Sequence, residues 1–314
     1  MPRHFLRSAD LDPSEQALVL ERAARLRTER EAALANGRVV VADALAGRSV
    51  AIVFEKPSLR TRVSFEVAIH ELGGHALKID DAEIGLGRRE TIADTARVLS
   101  RYVQAVVLRT FGQERIEELA ANSSVPVVNA LSDLEHPCQA LADLQTLAAE
   151  FGSLAGRTLT YVGDGNNVAH SLLVAGAQAG MHVRVAHPDG YAPDEQVIDV
   201  AREAASTSGG SVATTTDPRE AADGSDALYT DVWTSMGQEA ENEQRLRDFD
   251  GFQVDAALLD LAADGAVLLH CLPAHRGEEV AAEVIDGPAS RVFSQAENRL
   301  HAQKALLLHL LEQQ

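Results

Sequence analysis

Three shortages bound what this chain can be. Cysteine occurs only twice in 314 residues, at Cys138 and Cys271, too few for a disulfide framework, so both read as reduced thiols. No apolar run approaches the ~20 residues that a membrane-spanning helix needs, and the opening MPRHFLRSADLDPSE lacks the apolar core of a signal peptide. A cytoplasmic location without a membrane partner is expected. Basic charge is scarce as well: 28 Lys and Arg stand against 47 Asp and Glu, a net charge of −19. That balance opposes a broad grip on nucleic acid, which depends on neutralising phosphates. An anionic ligand would have to be met by basic groups gathered in one pocket.

What is present is a 46% hydrophobic chain, long enough for two domains that each bury an apolar interior. Asp12-Pro13-Ser14-Glu15 opens a first helix, with Asp12 as cap, Pro13 in the first turn and Glu15 closing a box of reciprocal bonds to backbone amides. Strand-like runs at 50–54, 76–79, 105–108 and 125–129 then alternate with helical stretches at 61–72, 91–102 and 114–121. A long helix over 137–151 leads into a second series, with strands at 158–162, 183–186, 211–214, 227–230 and 267–270 and a last amphipathic helix over 296–311. The alternation predicts the α/β class, with two domains that are each a parallel sheet flanked by helices. The stretch from Gly152 to Gly156 divides them into residues 1–150 and 151–314, and the last helix crosses back to pack on the first domain. In such sheets ligands sit outside the carboxyl ends of the strands, so motifs at those ends carry the functional weight.

Three strand-to-helix junctions of the first domain stand out. After AIVFE, Lys56-Pro57-Ser58-Leu59-Arg60-Thr61-Arg62 puts hydroxyl and basic groups at a helix N-terminus, whose free amides and dipole suit an anion. A plain Ser58 cap with solvated arginines is the alternative. Arg109 sits at the carboxyl end of the strand in AVVLRT, as a ligand contact or as an exposed surface arginine. In Leu134-Glu135-His136-Pro137-Cys138-Gln139, Pro137 suits a first helical position and sets His136 and Gln139 at the helix entrance. The bland reading makes His136 a cap and Cys138 core.

The second domain offers a parallel set. In YVGDGNNVAHSLL, Gly163 and Gly165 suggest a dinucleotide fingerprint, but Val168 stands where the third glycine belongs, and no cofactor is expected. Asn167 either points its amide at a ligand or caps the helix. Asp231, at a strand end, offers a carboxylate for an ammonium group or a cap. Ser235 and Met236, in Thr234-Ser235-Met236-Gly237, are loop contacts or a turn residue and core filler. His270-Cys271-Leu272-Pro273 closes another strand, and Arg299 stands near the start of the last helix. No metal is expected, because His270, Cys271 and His275 lack the paired spacing of zinc ligands. The histidines of HELGGH are one residue too far apart for the zinc-protease motif, which Gly73-Gly74 would also interrupt.

Ser58-Leu59-Arg60-Thr61 and His136-Pro137-Cys138-Gln139 resemble the two signature motifs of the carbamoyltransferases, and the resemblance to the ornithine carbamoyltransferases runs over essentially the whole chain. It implies a carbamoyl phosphate-binding first domain and an ornithine-binding second one. Ser58, Leu59, Arg60, Thr61 and Arg109 would then hold the phosphate, Arg109, His136 and Gln139 would reach the carbamoyl group, and Cys271, Leu272 and Arg299 would complete that pocket. Asn167, Asp231, Ser235 and Met236 would bind L-ornithine, with the Ser-Met-Gly loop closing over it. The expected catalytic groups are Arg109, His136, Asp231 and Cys271, the product is citrulline in arginine metabolism, and the expected assembly is a homotrimer or a multiple of trimers. One departure stands out: relatives place a Gln in the loop after the second strand, thought to reach a neighbouring subunit's site, but residues 80–90 contain none. That contact is open or falls to Arg88 or another residue.

Within this resemblance the Ser-Met-Gly string and HCLP favour a basic amino-acid acceptor over aspartate. Putrescine or acetylornithine as acceptor, and a nucleotide-dependent dehydrogenase, are the rival readings. Carbamoyl phosphate is an activated mixed anhydride, so an amine can attack it directly and the protein has to supply positioning and charge stabilisation. A lysine-like amine titrates near ~10.4, and making it neutral at physiological pH costs about 4 kcal/mol. Desolvation with Asp231 and Cys271 nearby is the expected remedy.

Overall fold

The computed structural model describes residues 2–40, 42–235 and 239–312. The chain forms two compact units, Met1–Gln145 with Glu297–Gln314, and Thr146–Ala296. Met236 and Gly237, expected in the closing loop, lie outside the described residues.

The first unit begins with α1 (Pro13–Ala35), which carries the expected cap: Asp12 accepts from the Ser14 and Glu15 amides and Glu15 reaches back to the Asp12 amide. Then follow β1 (Ser49–Phe54), α2 (Leu59–Glu71), β2 (His75–Asp80), α3 (Asp81–Ile84), α4 (Ile92–Leu99), β3 (Ala105–Arg109), α5 (Gln113–Ala121) and β4 (Val127–Leu131). The strands form one parallel sheet in the order β2-β1-β3-β4. In β1 every residue after Ser49 is buried, and β3 is buried throughout, the near-continuous apolar pattern of strands covered on both faces. β2 at the edge has no buried residue.

α6 (Pro137–Phe151) leads out of this unit. The second unit continues with β5 (Thr158–Val162), α7 (Asn167–Gln178), β6 (His182–Ala186), α8 (Glu195–Ser208), β7 (Ser211–Thr215), α9 (Pro218–Ala222), β8 (Ala227–Thr230), α10 (Asn242–Asp248), α11 (Ala256–Leu259), β9 (Val267–His270) and α12 (Ala282–Ile285). Its parallel sheet has the order β7-β6-β5-β8-β9. α13 (Val292–Glu312) returns to the first unit, where Ala302, Ala305, Leu306 and Leu310 join a core with Phe5, Val50, Ile52, Phe65 and Val107. The fold is therefore the expected α/β arrangement with a C-terminal helix packed on the first unit.

Strand order fixes where ligands go. In the first sheet the chain passes from β1 outward to β2 and then returns to β3 on the other side of β1, so the order reverses between β1 and β3. In the second sheet it reverses between β5 and β8. A crevice opens outside the carboxyl ends at such switch points, because the loops there diverge to opposite faces of the sheet.

Candidate functional site

The first unit's switch point carries the hydroxyl, amide and guanidinium groups that the sequence singled out. Ser58 is the N-cap of α2: its Oγ accepts from the Thr61 amide at 3.3 Å and donates to Thr61 Oγ1 at 3.0 Å. Capping uses one amide, while those of Leu59 and Arg60 lie in the first turn, where no intrahelical acceptor exists. Leu59 is 74% exposed, so its backbone amide and not its side chain is the group suited to an anion. Arg60 is half-buried and its side chain makes no hydrogen bond or ion pair among the described residues, whereas the neighbouring Arg62 pairs with Glu66. Arg109 stands opposite Phe54 in the ladder, at the point where the β3–β4 register shifts. It is 7% exposed, which rules out the surface-arginine reading.

His136, Gln139 and Arg299 are buried in the same unit. Arg299 donates from Nη2 to Thr61 Oγ1 at 2.8 Å and from Nη1 to Gln139 Oε1 at 2.9 Å, while Gln139 Nε2 donates to Asp143 Oδ1 at 2.8 Å. This chain of bonds sets the amide's direction: Oε1 faces the guanidinium and keeps a second lone pair for another donor. Burial, and then the charges of Arg299 and Arg109, hold the His136 imidazole well below its ordinary range. It is neutral at pH 7, able to donate or accept a hydrogen bond, and leaves positive charge to the arginines. Burial pushes the Cys138 thiol up to about 12, and its Sγ donates to Asn129 O, in keeping with a core role.

At the second unit's switch point, β5 ends in Gly163–Asn167 and β8 ends before Asp231. The helix cap here is Asn166, whose Oδ1 accepts from the Val168 and Ala169 amides. Asn167 is the first helical residue, so the capping alternative for it is corrected: Asn166 has the extended backbone that a cap requires. A Cβ on Gly165 would lie 2.3 Å from Pro193 N, so this glycine admits the close approach of a neighbouring loop. Asn166 Nδ2 donates to Asp231 Oδ2 at 3.2 Å, and the Cys271 thiol donates to Asp231 Oδ1 at 2.9 Å.

Leu272 has φ +60° and precedes a cis peptide to Pro273. A left-handed conformation costs a non-glycine residue roughly 1–2 kcal/mol. It is held by the Leu272 amide, which donates to His270 Nδ1 at 2.8 Å, while His270 Nε2 contacts Glu279 Oε1 at 3.2 Å. Ligating atoms of Asp231, His270 and Cys271 lie within 4.8 Å of one another, but both imidazole nitrogens of His270 are engaged by these protein partners. Ser235 is half-buried in the loop after Asp231. Sequence reasoning missed Asn166 as the residue that orients Asp231, and it missed Arg245. Arg245 is 6% exposed and ties Asp164, in the turn after β5, to the Trp233 carbonyl at the base of the Ser235 loop, at 2.7 and 2.9 Å. Nothing near Arg245 in the sequence signals this.

Each unit thus has a doubly wound sheet with polar groups at its switch point, one cationic and amide-rich, the other acidic with a thiol. The chain belongs to the aspartate/ornithine carbamoyltransferase family: residues 3–149 match its carbamoyl-P binding domain and residues 155–310 its Asp/Orn binding domain. It is 61% identical over 313 residues to the ornithine carbamoyltransferase of Acidothermus cellulolyticus, covering 99% of this chain and 97% of that one. It is 57% identical to the enzyme of Mycolicibacterium smegmatis, over 99% of both chains. Among solved structures, ornithine carbamoyltransferase from Pyrococcus furiosus is similar, with a TM-score of 0.92 and 50% identity, covering 98% of this chain and 96% of that one. The chain is an enzyme, a carbamoyltransferase.

Proposed function

We propose that the protein transfers the carbamoyl group of carbamoyl phosphate to the side-chain amine of L-ornithine, giving L-citrulline and phosphate for arginine metabolism. The observation that carries this reading is the buried bridge from Arg299 to Thr61 and Gln139 beside a neutral His136, a seat for an anion attached to a carbonyl. Ser58, Leu59, Arg60, Thr61 and Arg109 hold the phosphate through amides, hydroxyls and guanidinium groups. Arg109 and His136 donate to the carbamoyl oxygen, and the spare lone pair of Gln139 Oε1 accepts from the carbamoyl nitrogen. Leu272, Cys271 and Arg299 complete the pocket, and Asn167, Asp231, Ser235 and Met236 receive the amino acid.

The amine nitrogen bonds to the carbonyl carbon, the negative charge gathers on oxygen, and the bond from carbon to the phosphate oxygen then breaks. The amine's proton leaves with phosphate or passes to solvent. Arg109 and His136 stabilise the tetrahedral state because they are fixed before charge develops and need no reorganisation. Asp231 attracts the ammonium form, and desolvation beside the Cys271 thiol favours loss of its proton.

Relatives named ornithine carbamoyltransferase along the whole chain, and the acidic group at the second switch point, favour ornithine over aspartate. An assay with carbamoyl phosphate against ornithine, putrescine, acetylornithine and aspartate tests this. Ornithine should lead in kcat/KM by ~100-fold, as expected of a site built to pair a charged group; a faster reaction with another acceptor would overturn the assignment.

A homotrimer fits the exposed Leu59 (74%) and Val63 (44%), four residues apart on α2, and the unburied edge strand β2, surfaces that a second copy can cover. In the loop at 80–90, Arg88 pairs with Asp81 of its own chain. Sedimentation that finds only monomers would exclude the trimer. A cytoplasmic location is in keeping with two free thiols.

A further inference from the structure

The loop that carries His136 into α6 is held by the start of the chain. Phe5 runs parallel to β4, donating its amide to Val127 O at 2.9 Å and accepting from Asn129 N at 2.8 Å. Leu6 O accepts from Asn129 Nδ2 at 2.9 Å, and the same Nδ2 donates to Ser132 Oγ at 3.1 Å. Ser8 then donates both its amide (2.7 Å) and its hydroxyl (2.6 Å) to Glu135 Oε2, and both side chains are 3% exposed. Ser132 fixes Glu135 from the other side: its amide donates to Glu135 O at 2.9 Å, and its Oγ accepts from the Glu135 amide at 3.2 Å.

His136 precedes Pro137, which confines its backbone to extended conformations, and its carbonyl accepts from the Gln139 and Ala140 amides at the entrance to α6. With those torsions restricted, the anchoring of Glu135, one peptide bond away, bears directly on where the imidazole sits. A buried carboxyl group that accepts two hydrogen bonds from one residue is a firm anchor, since short bonds to it restrict both side chains.

We propose that Ser8 and Glu135 are positioning residues for the transfer reaction: their buried pair sets the place of His136 and Gln139 and thereby governs use of carbamoyl phosphate. This rests on the reading that His136 and Gln139 meet the carbamoyl group. A displacement of ~1 Å in such a group can cost on the order of 100-fold in rate.

The test compares Glu135→Ala, Glu135→Gln, Ser8→Ala and His136→Ala in the full chain, with each substrate varied in turn and thermal melting followed. Glu135→Ala should lower kcat/KM for carbamoyl phosphate by roughly 10- to 100-fold while KM for ornithine stays within about 2-fold. Glu135→Gln, which keeps an acceptor oxygen for Ser8, should recover most of the loss, and Ser8→Ala, which keeps the Ser8 amide, should show a smaller one. Folded Glu135→Ala with unchanged kinetics toward carbamoyl phosphate overturns the proposal, as does a loss that falls equally on both substrates and tracks melting. Should Glu135→Ala not fold, Ser8→Ala and Glu135→Gln decide between these outcomes by the same comparison of the two substrates. Impaired His136→Ala beside normal Glu135 variants removes the positioning role alone; fully active His136→Ala removes the reading beneath it.

Discussion

Cys271 donates its thiol hydrogen to one oxygen of Asp231 across 2.9 Å, and Asn166 donates to the other oxygen at 3.2 Å. The two donors orient the carboxylate and leave further lone pairs for an incoming ammonium.

Replacing Asp231 with Asn removes the charge and sets an amide hydrogen against one of these two donors. Hydrogen bonds to charged groups contribute about 1.5–3 kcal/mol, so kcat/KM for ornithine should fall by on the order of 10- to 100-fold. KM for carbamoyl phosphate should move by less than about 3-fold; steady-state kinetics with each substrate varied checks both.

The thiol's part is separable. Because Cys271 is the donor in this pair, a serine hydroxyl can take its place. Cys271→Ser should keep the position of the pH–rate profile, with turnover lowered by about 10-fold for imperfect reach. A displaced profile would mean that the thiol itself titrates during turnover.

Lys304 and Glu71 form a buried ion pair at 2.7 Å, and Arg30 joins Glu71 at 2.8 Å. Lys304→Ala leaves a carboxylate buried with less compensation and should cost about 3–5 kcal/mol in urea unfolding. Lys304→Met together with Glu71→Leu should lose far less, since no buried charge is then left unmet by Lys304.

His301 is fully buried, and burial, followed by Lys304, Arg30 and Arg27, lowers its pKa to about 3, with Glu71 opposing and Glu297 3.9 Å away. A histidine whose folded value lies below its unfolded value of ~6.5 contributes stability that is complete above that pH and is lost as pH falls toward the folded value. His136, His4 and His309 are shifted the same way, chiefly by burial. Unfolding free energy should therefore drop from pH 7 to 5.5, by about 1 kcal/mol for His301 alone. His301→Leu should flatten that drop by about this amount without loss at pH 7.

The strands of both sheets and the longer helices such as α1, α2, α6 and α13 were legible because their signals are local, apolar runs of strand length and the Asp12 cap, whereas β4, expected at 125–129, forms at Val127–Leu131, and the short helices α3 and α9 to α12 gave no such signal. Ser58 to Thr61 and His136 to Gln139 stood out because each is a contiguous string at a strand-to-helix junction, while the roles of the single residues came from the resemblance to the carbamoyltransferases and not from residue type or spacing. Asn166 and Asn167 could not be told apart, since a cap is chosen by backbone conformation and both carry the same side chain. Arg245 gave no signal because its partners, Asp164 and Trp233, lie 81 and 12 residues away.

The sequence by itself determined the α/β class and the order of the strands, because hydrophobic period acts over a few residues, and it marked which polar groups stand at the strand ends. Only tertiary structure decided which of those groups meet within each unit. Arg299 reaches Thr61 across 238 residues of chain and Gln139 across 160, and Ser8 reaches Glu135 across 127. Such pairings follow from strand order and from how α13 and the N-terminal segment pack on the first sheet, and burial then sets their electrostatics, as in the neutral His136.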